Sequence, residues 1–326
     1  MELKRLAIIV PCYNEEAVFP YTVTELSKVL QDLIKKEKIR KDSYILFVND
    51  GSQDRTWRLI TAVHEKCRHV SGINLAGNVG HQNALMAGLE YAKEHCDMSI
   101  SIDADLQDDI GVIEEMVDKY NDGVDIVYGV RDNRDSDSWF KRNTAQGYYW
   151  FLSKMGVKVE YNHADFRLMS RRAMEALLQY PEKNLFLRGL VPTLGFRTDS
   201  VYYERKARSA GESKYTLKKM LALAWQGITS FSLKPITALC GLGVAGMLLS
   251  MLVFCIIWIC CGMSLGLAAL ASMWFLASVL LAAIGLVGEY VGKTYIETKS
   301  RPRYIIESVL PMKEGNLLEG CDPNAE

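Results

Sequence analysis

The sequence predicts an α/β fold with a mainly parallel sheet, joined to a two-helix transmembrane hairpin. Three observations carry this expectation. Short runs rich in β-branched residues alternate with helical patterns over about the first 130 residues, the signature of a parallel sheet with helices on both faces. Those runs end in polar and acidic clusters, where ligands bind on such sheets. Residues 235–288 contain no Asp, Glu, Lys or Arg, although the 326-residue chain is otherwise rich in charge and sums to −1. A near-neutral balance gives no electrostatic footprint for nucleic acid.

The strands are expected at "LAIIV" (6–10), "YILFV" (44–48), "VSGINL" (70–75), "SISI" (99–102) and "DIVYGV" (125–130). Between them, Val23, Leu26, Leu30 and Leu33 share one helical face, and so do Ile110, Ile113, Val117 and Tyr120. "NHADFRLMSRRAMEALLQY" reads as an extended piece followed by a helix, and "DNRDSDSWFKR" as a charged loop. This soluble part occupies residues 1–213. Over 214–233, Leu217, Leu221, Trp225 and Ile228 line one face away from Lys218 and Lys219. That pattern predicts a helix lying in the membrane interface, with a core-facing helix as the alternative.

At ~1.5 Å per residue, about 20 apolar residues cross a bilayer, so the uncharged run is too long for one span. Spans are expected at about 236–259 and 267–290, within 234–292, with the turn at "CCGMSLG". A buried helical hairpin is the alternative. Lys214, Lys218, Lys219 and Lys234 precede the pair, and Lys293, Lys299, Arg301 and Arg303 follow it. The positive-inside rule places both flanks in the cytoplasm, and the short apolar start "LAIIV" is no signal peptide. The expected location is therefore the plasma membrane, multi-pass, with the catalytic part and both termini cytoplasmic. Glu289 and Lys293 are spaced as a stabilising helix pair. The segment 293–326 is expected to be a cytosolic tail, polar and without order after Glu307. Eight cysteines without a CxxC pair predict neither a zinc site nor a disulfide framework.

The chemistry starts at "DADLQDD" (103–109). Two carboxylates beyond a strand end suit a hard divalent ion, which magnesium-type sites complete with substrate phosphates. A second Asp-x-Asp, Asp135 and Asp137, follows no strand and is assigned to a solvated loop. Arg131 and the basic "ERKARSAGESKY" (204–215) offer phosphate partners. Neither GxxxxGK[ST] nor a GxGxxG after the first strand is present. Tyr13 could stack on a base, and Glu15 and Asp50 could accept from base or ribose groups. His81 is expected to make local hydrogen bonds at a helix start, and no role is assigned to His163.

"VPCYNEE", "VNDGSQD", "DADLQDD", "ADFRL" and "RSAGESKY" resemble, in order, the motif series of glycosyltransferase family 2. "GLVGEYVGKTYIETKSRPRYII" resembles the polyprenyl-phosphate (bactoprenol) glycosyltransferases, which are related to dolichol-phosphate mannose synthase. The resemblance covers roughly residues 5–308. It implies a GT-A fold, a nucleotide-sugar donor, Mg²⁺ or Mn²⁺, and a polyprenyl phosphate acceptor; some relatives assemble as homotetramers. By that resemblance Pro11, Tyr13, Glu15 and Asp50 line the nucleotide pocket. Asp103, with Ala104, lies near the ribose or sugar. Asp105 and Gln107 are the metal ligands. Arg131, Arg208 and Lys214 bind phosphate, and Asp165 lies on the acceptor side. The set implied to be catalytic is Asp103, Asp105, Asp165, Arg208 and Lys214. Many relatives continue "DLQD" with prolines, whereas Asp108-Asp109-Ile110 here implies a different helix start. UDP-glucose is the favoured donor, with UDP-N-acetylglucosamine or another sugar as the alternative. Two other classes fit the sequence less well. A processive synthase is disfavoured because QxxRW is absent and two spans are too few for a pore. A non-catalytic sugar-nucleotide scaffold is disfavoured because Asp105 and Lys214 are present.

Overall fold

The computed structural model describes residues 3–131, 163–183, 185–204 and 265–313, with isolated positions at 236, 239, 245, 246 and 252. The chain divides into two compact units. One comprises residues 1–145, 160–214 and 301–326, and the other comprises 146–159 and 215–300.

The first unit is built on an eight-stranded sheet. In chain order the strands are β1 (Leu6–Cys12), β2 (Tyr44–Asn49), β3 (Val70–Leu75), β4 (Met98–Ser101), β5 (Ile126–Arg131), β6 (His163–Ser170), β7 (Thr198–Tyr203) and β8 (Ile306–Leu310). Their spatial order is β7-β5-β6-β4-β1-β2-β3-β8. β4, β1, β2 and β3 are mutually parallel, and β5 is parallel to β7. β6 runs antiparallel between β4 and β5. All five strands read from sequence are present within one or two residues of their expected bounds. The extended piece at 163–170 is β6.

The alternation of side chains along β1 explains the two covered faces. Leu6, Ile8 and Val10 join a core with Val23, Leu26, Leu30 and Leu33 of α1 (Phe19–Lys35), Ile60 of α2 (Thr56–Lys66), and Ile113 and Val117 of α4 (Ile113–Asn121). Ile9 points to the other face, against α3 (His81–His95). A Cβ added at Gly88 of α3 would lie 2.5 Å from Ile9 Cγ2, so glycine sets how closely this helix packs. Beside it, Ser99 Oγ of β4 donates to Met174 Sδ of α5 (Arg171–Leu178) at 3.0 Å. Full burial of each Leu, Ile or Val contributes about 1.5–3 kcal/mol.

The polar tail corrects one expectation. Residues beyond Glu307 are ordered through Leu310 as part of β8, which pairs antiparallel with β3 from Gly72↔Leu310 to Leu75↔Ile306. β8 buries little of itself, and its order comes from the backbone edge that β3 offers. Gly72 leaves the space where Ile60, Trp57 and Leu310 converge. Asn74 Nδ2 donates to Glu307 Oε2 at 2.6 Å, and Lys313 Nζ donates to the carbonyls of His64 and Glu65 at 2.7 and 2.9 Å. Removing 301–326 is expected to destabilise this unit by about 1–4 kcal/mol, counting ~0.2–1 kcal/mol for each of four cross-strand pairs. It also uncovers the β3 edge to self-association. Thermal melts and light scattering of the truncated, detergent-solubilised protein check both effects. Among the described cysteines, Cys12 and Cys96 are free and buried, and Cys67 is disulfide-bonded.

The second unit contains a 34-residue helix, Leu265–Thr298. Its stretch Phe275–Thr298 is long enough to cross a membrane and contains an 18-residue window with a mean hydropathy of 1.9. None of that window is buried inside the protein, which argues against a buried core helix. The expected second span, 267–290, lies within this helix, which continues through Glu289, Lys293 and Glu297. Lys293 Nζ lies 4.0 Å from Glu289 Oε1, the helix pair anticipated from their spacing. The expected first span (236–259), apart from isolated positions, and the interfacial helix (214–233) lie outside the described residues.

Candidate functional site

The site forms where β1, β2 and β4 end. Pro11 sits near the end of a central strand, a position that normally costs a ladder bond. Here its missing N–H costs none. The Cys12 carbonyl faces β2 and accepts from Asp50 N, while the Ile9 carbonyl faces β4 and accepts from Ile102 N. Alternation therefore turns Pro11 towards the β4 side, and β4 has already ended at Ser101.

The loops after β1 and β2 are laced together. Asn14, in the left-handed region at φ 55°, donates through its backbone N–H to Ser52 Oγ at 3.0 Å, and its Oδ1 accepts from Gln53 N at 2.8 Å. Glu15 N donates to Thr56 Oγ1 at 2.9 Å. Gly51, at φ 65°, lies against the third loop, where any Cβ would come within 2.5 Å of Gly77 and Asn78 backbone. Asp50 is buried and spends both oxygens on that loop, accepting from Val79 N at 2.7 Å and Gly80 N at 3.0 Å. Burial pushes its pKa up, and these two N–H groups pull it back. The carboxylate expected to meet a base or ribose thus shapes the loop ahead of α3, while Tyr13 remains exposed at the rim.

After β4 the chain turns sharply. Leu106 adopts φ 44°, uncommon for a bulky residue, and such backbone costs ~1–3 kcal/mol unless its surroundings impose it. Leu106 N donates to the Asp103 carbonyl at 3.2 Å. Thr22 of α1 clamps the same turn, its hydroxyl donating to the Ala104 carbonyl at 2.5 Å. Asp103 and Asp105 reach solvent, whereas Gln107 is only 4 % exposed. Gln107 N donates to Asp105 Oδ1 at 3.4 Å. Asp109 accepts from Gly111 N at 3.2 Å and caps the 3₁₀ turn Ile110–Val112 that leads into α4, which is the helix start that Asp108-Asp109-Ile110 forms.

β6 brings the next carboxylate. Because it runs antiparallel to β4, its beginning lies at the edge where β4 ends, and Ser101 Oγ donates to the Asp165 carbonyl at 2.7 Å. Asp165 is held by two arginines. Arg167 Nη2 donates to Oδ1 at 3.2 Å, and Arg188 donates through Nε to Oδ1 at 3.3 Å and through Nη2 to Oδ2 at 3.0 Å. Burial alone would raise the Asp165 pKa, but Arg188 and Arg167 overcome it and hold the group far below the usual carboxylate range. Asp103 shifts the other way. Desolvation pushes it up, as do the charges of Asp165, Asp108 and Asp105, against an opposing pull from His81. His81 Nε2, at the start of α3, lies 3.5 Å from Asp103 Oδ1.

The structure therefore gathers Asp103, Asp105 and Asp165 at one rim. It gives Arg131 to Asp108, with Nε and Nη2 donating to one oxygen at 3.1 and 2.9 Å. Arg208 and Lys214, the other expected phosphate partners, lie outside the described residues. Three site residues were missed from sequence. His81 lies 3.5 Å from Asp103, a contact that the expected local bonds did not include; the signal was its place directly after a loop at the same sheet edge. Arg167 and Arg188 needed the antiparallel β6 to be seen beside Asp165. Among the described residues no three His, Cys, Asp or Glu side chains converge to hold a metal by themselves. The oxygen donors of Asp105 and Asp103 fit a hard cation that draws its remaining ligands from phosphate. Gln107, the other expected metal ligand, is only 4 % exposed and follows Asp105 by two residues, its backbone N–H donating to that carboxylate.

The chain is similar to several known proteins. A "Prophage bactoprenol glucosyl transferase homolog" of Escherichia coli (strain K12) is 38 % identical over 321 residues, covering 94 % of this chain and 99 % of that protein. The "Bactoprenol glucosyl transferase" of Shigella phage SfX is 38 % identical over 313 residues, covering 93 % and 99 %. The "Uncharacterized glycosyltransferase YkoT" of Bacillus subtilis (strain 168) is 51 % identical over 306 residues, covering 93 % and 91 %. The profile "Glycosyl transferase family 2" matches residues 7–178, which carry β1 to β6 and the acidic turn. The chain is a glycosyltransferase and belongs to glycosyl transferase family 2.

Proposed function

We propose that this enzyme transfers a hexose from a nucleoside diphosphate sugar, UDP-glucose first, to a polyprenyl phosphate at the cytosolic face of the plasma membrane. One observation carries the reading. A carboxylate rim made by Asp103, Asp105 and Asp165 and a lipid-length apolar helix occur in one chain, and only residues 299–305 separate that helix from β8 of the catalytic sheet. A water-soluble donor and a lipid-bound acceptor require that combination. The names of the Escherichia coli and phage relatives support the same acceptor. The paired spans and cytoplasmic flanks read from sequence complete the arrangement.

A lipid phosphate monoester has a second pKa near ~6, so at neutral pH it is largely dianionic and needs little activation. The harder task is the departure of a nucleoside diphosphate. A divalent ion held by Asp105 and Gln107 would supply charge neutralisation there. Arg208 and Lys214 stabilise the same developing charge. Asp165, locked in its ionised form by two arginines, orients groups on the acceptor side and does not accept a proton. Attack opposite the leaving group inverts the anomeric centre, giving a β-linked lipid product from an α-linked donor.

The test is incubation of membranes carrying the enzyme with labelled UDP-glucose and undecaprenyl phosphate. Label is expected in the organic phase, and a panel with UDP-N-acetylglucosamine and other donors ranks the sugar. Binding of every donor without transfer of any would leave the non-catalytic scaffold as the better reading.

A further inference from the structure

We infer that Arg131 is a positioning residue that acts through Asp108 to hold the 103–108 turn, so that Asp103 and Asp105 face the cleft. This rests on the donor site proposed above. Arg131 directs two N–H groups at one oxygen of a carboxylate that is only 3 % exposed. The pair is walled by aromatic groups. Tyr203 is buried beside it and packs edge-on against Phe166 with ring centroids 5.7 Å apart. Gly129, on the same strand as Arg131, admits both rings; a Cβ there would lie 2.8 Å from Phe166 and 3.0 Å from Tyr203.

Two features make this pair an anchor. Asp108 follows the left-handed Leu106 by two residues, and strained backbone persists only where its flanks are fixed. The upstream flank is fixed by Thr22 on Ala104; the downstream flank is fixed by Arg131 on Asp108. Arg131 also cancels one of four neighbouring carboxylates, Asp103, Asp105, Asp108 and Asp165. Were its fork to turn to a donor phosphate, Asp108 would remain buried with its charge uncompensated. The resemblance-based role as a phosphate ligand is thus replaced by a role in shaping the metal-facing turn.

The experiment uses the full, detergent-solubilised chain, with UDP and Mn²⁺ as probes. Binding is read by calorimetry, Mn²⁺ by electron paramagnetic resonance, and folding by thermal melts. Outer-shell partners of a metal ligand typically cost 10–100-fold in metal affinity. Arg131→Lys, Arg131→Met and Asp108→Asn are each expected to weaken Mn²⁺ binding with UDP by about that much. The double variant Asp108→Asn/Arg131→Met should be no worse than the weaker single. Lysine keeps the charge but loses the fork, so Arg131→Lys should resemble Arg131→Met. Should Arg131→Lys and Asp108→Asn bind like wild type while Arg131→Met alone fails, Arg131 is a phosphate ligand and the inference falls. If Asp108→Asn does not melt cooperatively, the lysine–methionine comparison decides alone. A wild-type chain that binds no nucleoside diphosphate with Mn²⁺ overturns the donor site itself, a different signature from any pattern among the variants.

Discussion

Asp105→Ala is expected to lower lipid glycosylation by ~10²–10³-fold, the usual cost of losing an oriented group that stabilises developing charge. The loss should come without a loss of stability. Asp105 is half-exposed and sits in a crowd of carboxylates that already raises the pKa of Asp103. Removing one negative charge relieves that repulsion, so the variant should melt at or slightly above the wild-type temperature. Asp103 feels the same repulsion. Its raised folded pKa means that the ionised group costs stability as pH climbs past the ordinary carboxylate value near ~4. That cost should shrink in Asp105→Ala. Activity falling while stability holds separates a working carboxylate from a structural one. Wild-type turnover by Asp105→Ala in the presence of a chelator would contradict the metal assignment.

The parallel half of the fold was legible because each strand is a short apolar run that ends in turn chemistry. β1 to β5 needed only local pattern. β6, β7 and β8 were harder. The mixture of polar and apolar residues in "HADFRLMS" does not alternate cleanly, and β8 takes its order from the β3 edge instead of its own burial. The carboxylates were legible for the same reason as the strands: Asp103 and Asp105 follow an apolar run directly. Their partners were not. His81, Arg167 and Arg188 are ordinary-looking residues in sequence, and only the antiparallel insertion of β6 brings Arg188 to Asp165 across 23 positions. The partners of Asp50 and Arg131 were not legible either, because residue type gives charge but not burial: Asp50 accepts from two backbone N–H groups, and Arg131 donates to Asp108.

Asp165→Asn is expected to destabilise the catalytic unit by about 3–5 kcal/mol, the range for breaking a buried ion pair by removing one partner. Arg167 is only 3 % exposed and would keep its charge without its main counter-charge. Arg188 would lose both of its contacts to the carboxylate. The sign of the pH dependence follows from the depressed pKa. Stability from this group is fully present above the unfolded carboxylate value near ~4 and is lost as pH falls through the lower folded value. The penalty of Asp165→Asn should therefore be constant between pH 6 and 8 (roughly two units and more above that value), and thermal melts across this range check it. A general base works best with a pKa near the operating pH, and two arginines move Asp165 in the opposite direction. Wild-type activity should show no inflection from Asp165 in the neutral range, because the dianionic lipid phosphate has no proton for it to take. A variant that melts like wild type yet loses turnover, with a changed pH profile, would instead make Asp165 the base and Arg188 a group that leaves it when substrate binds.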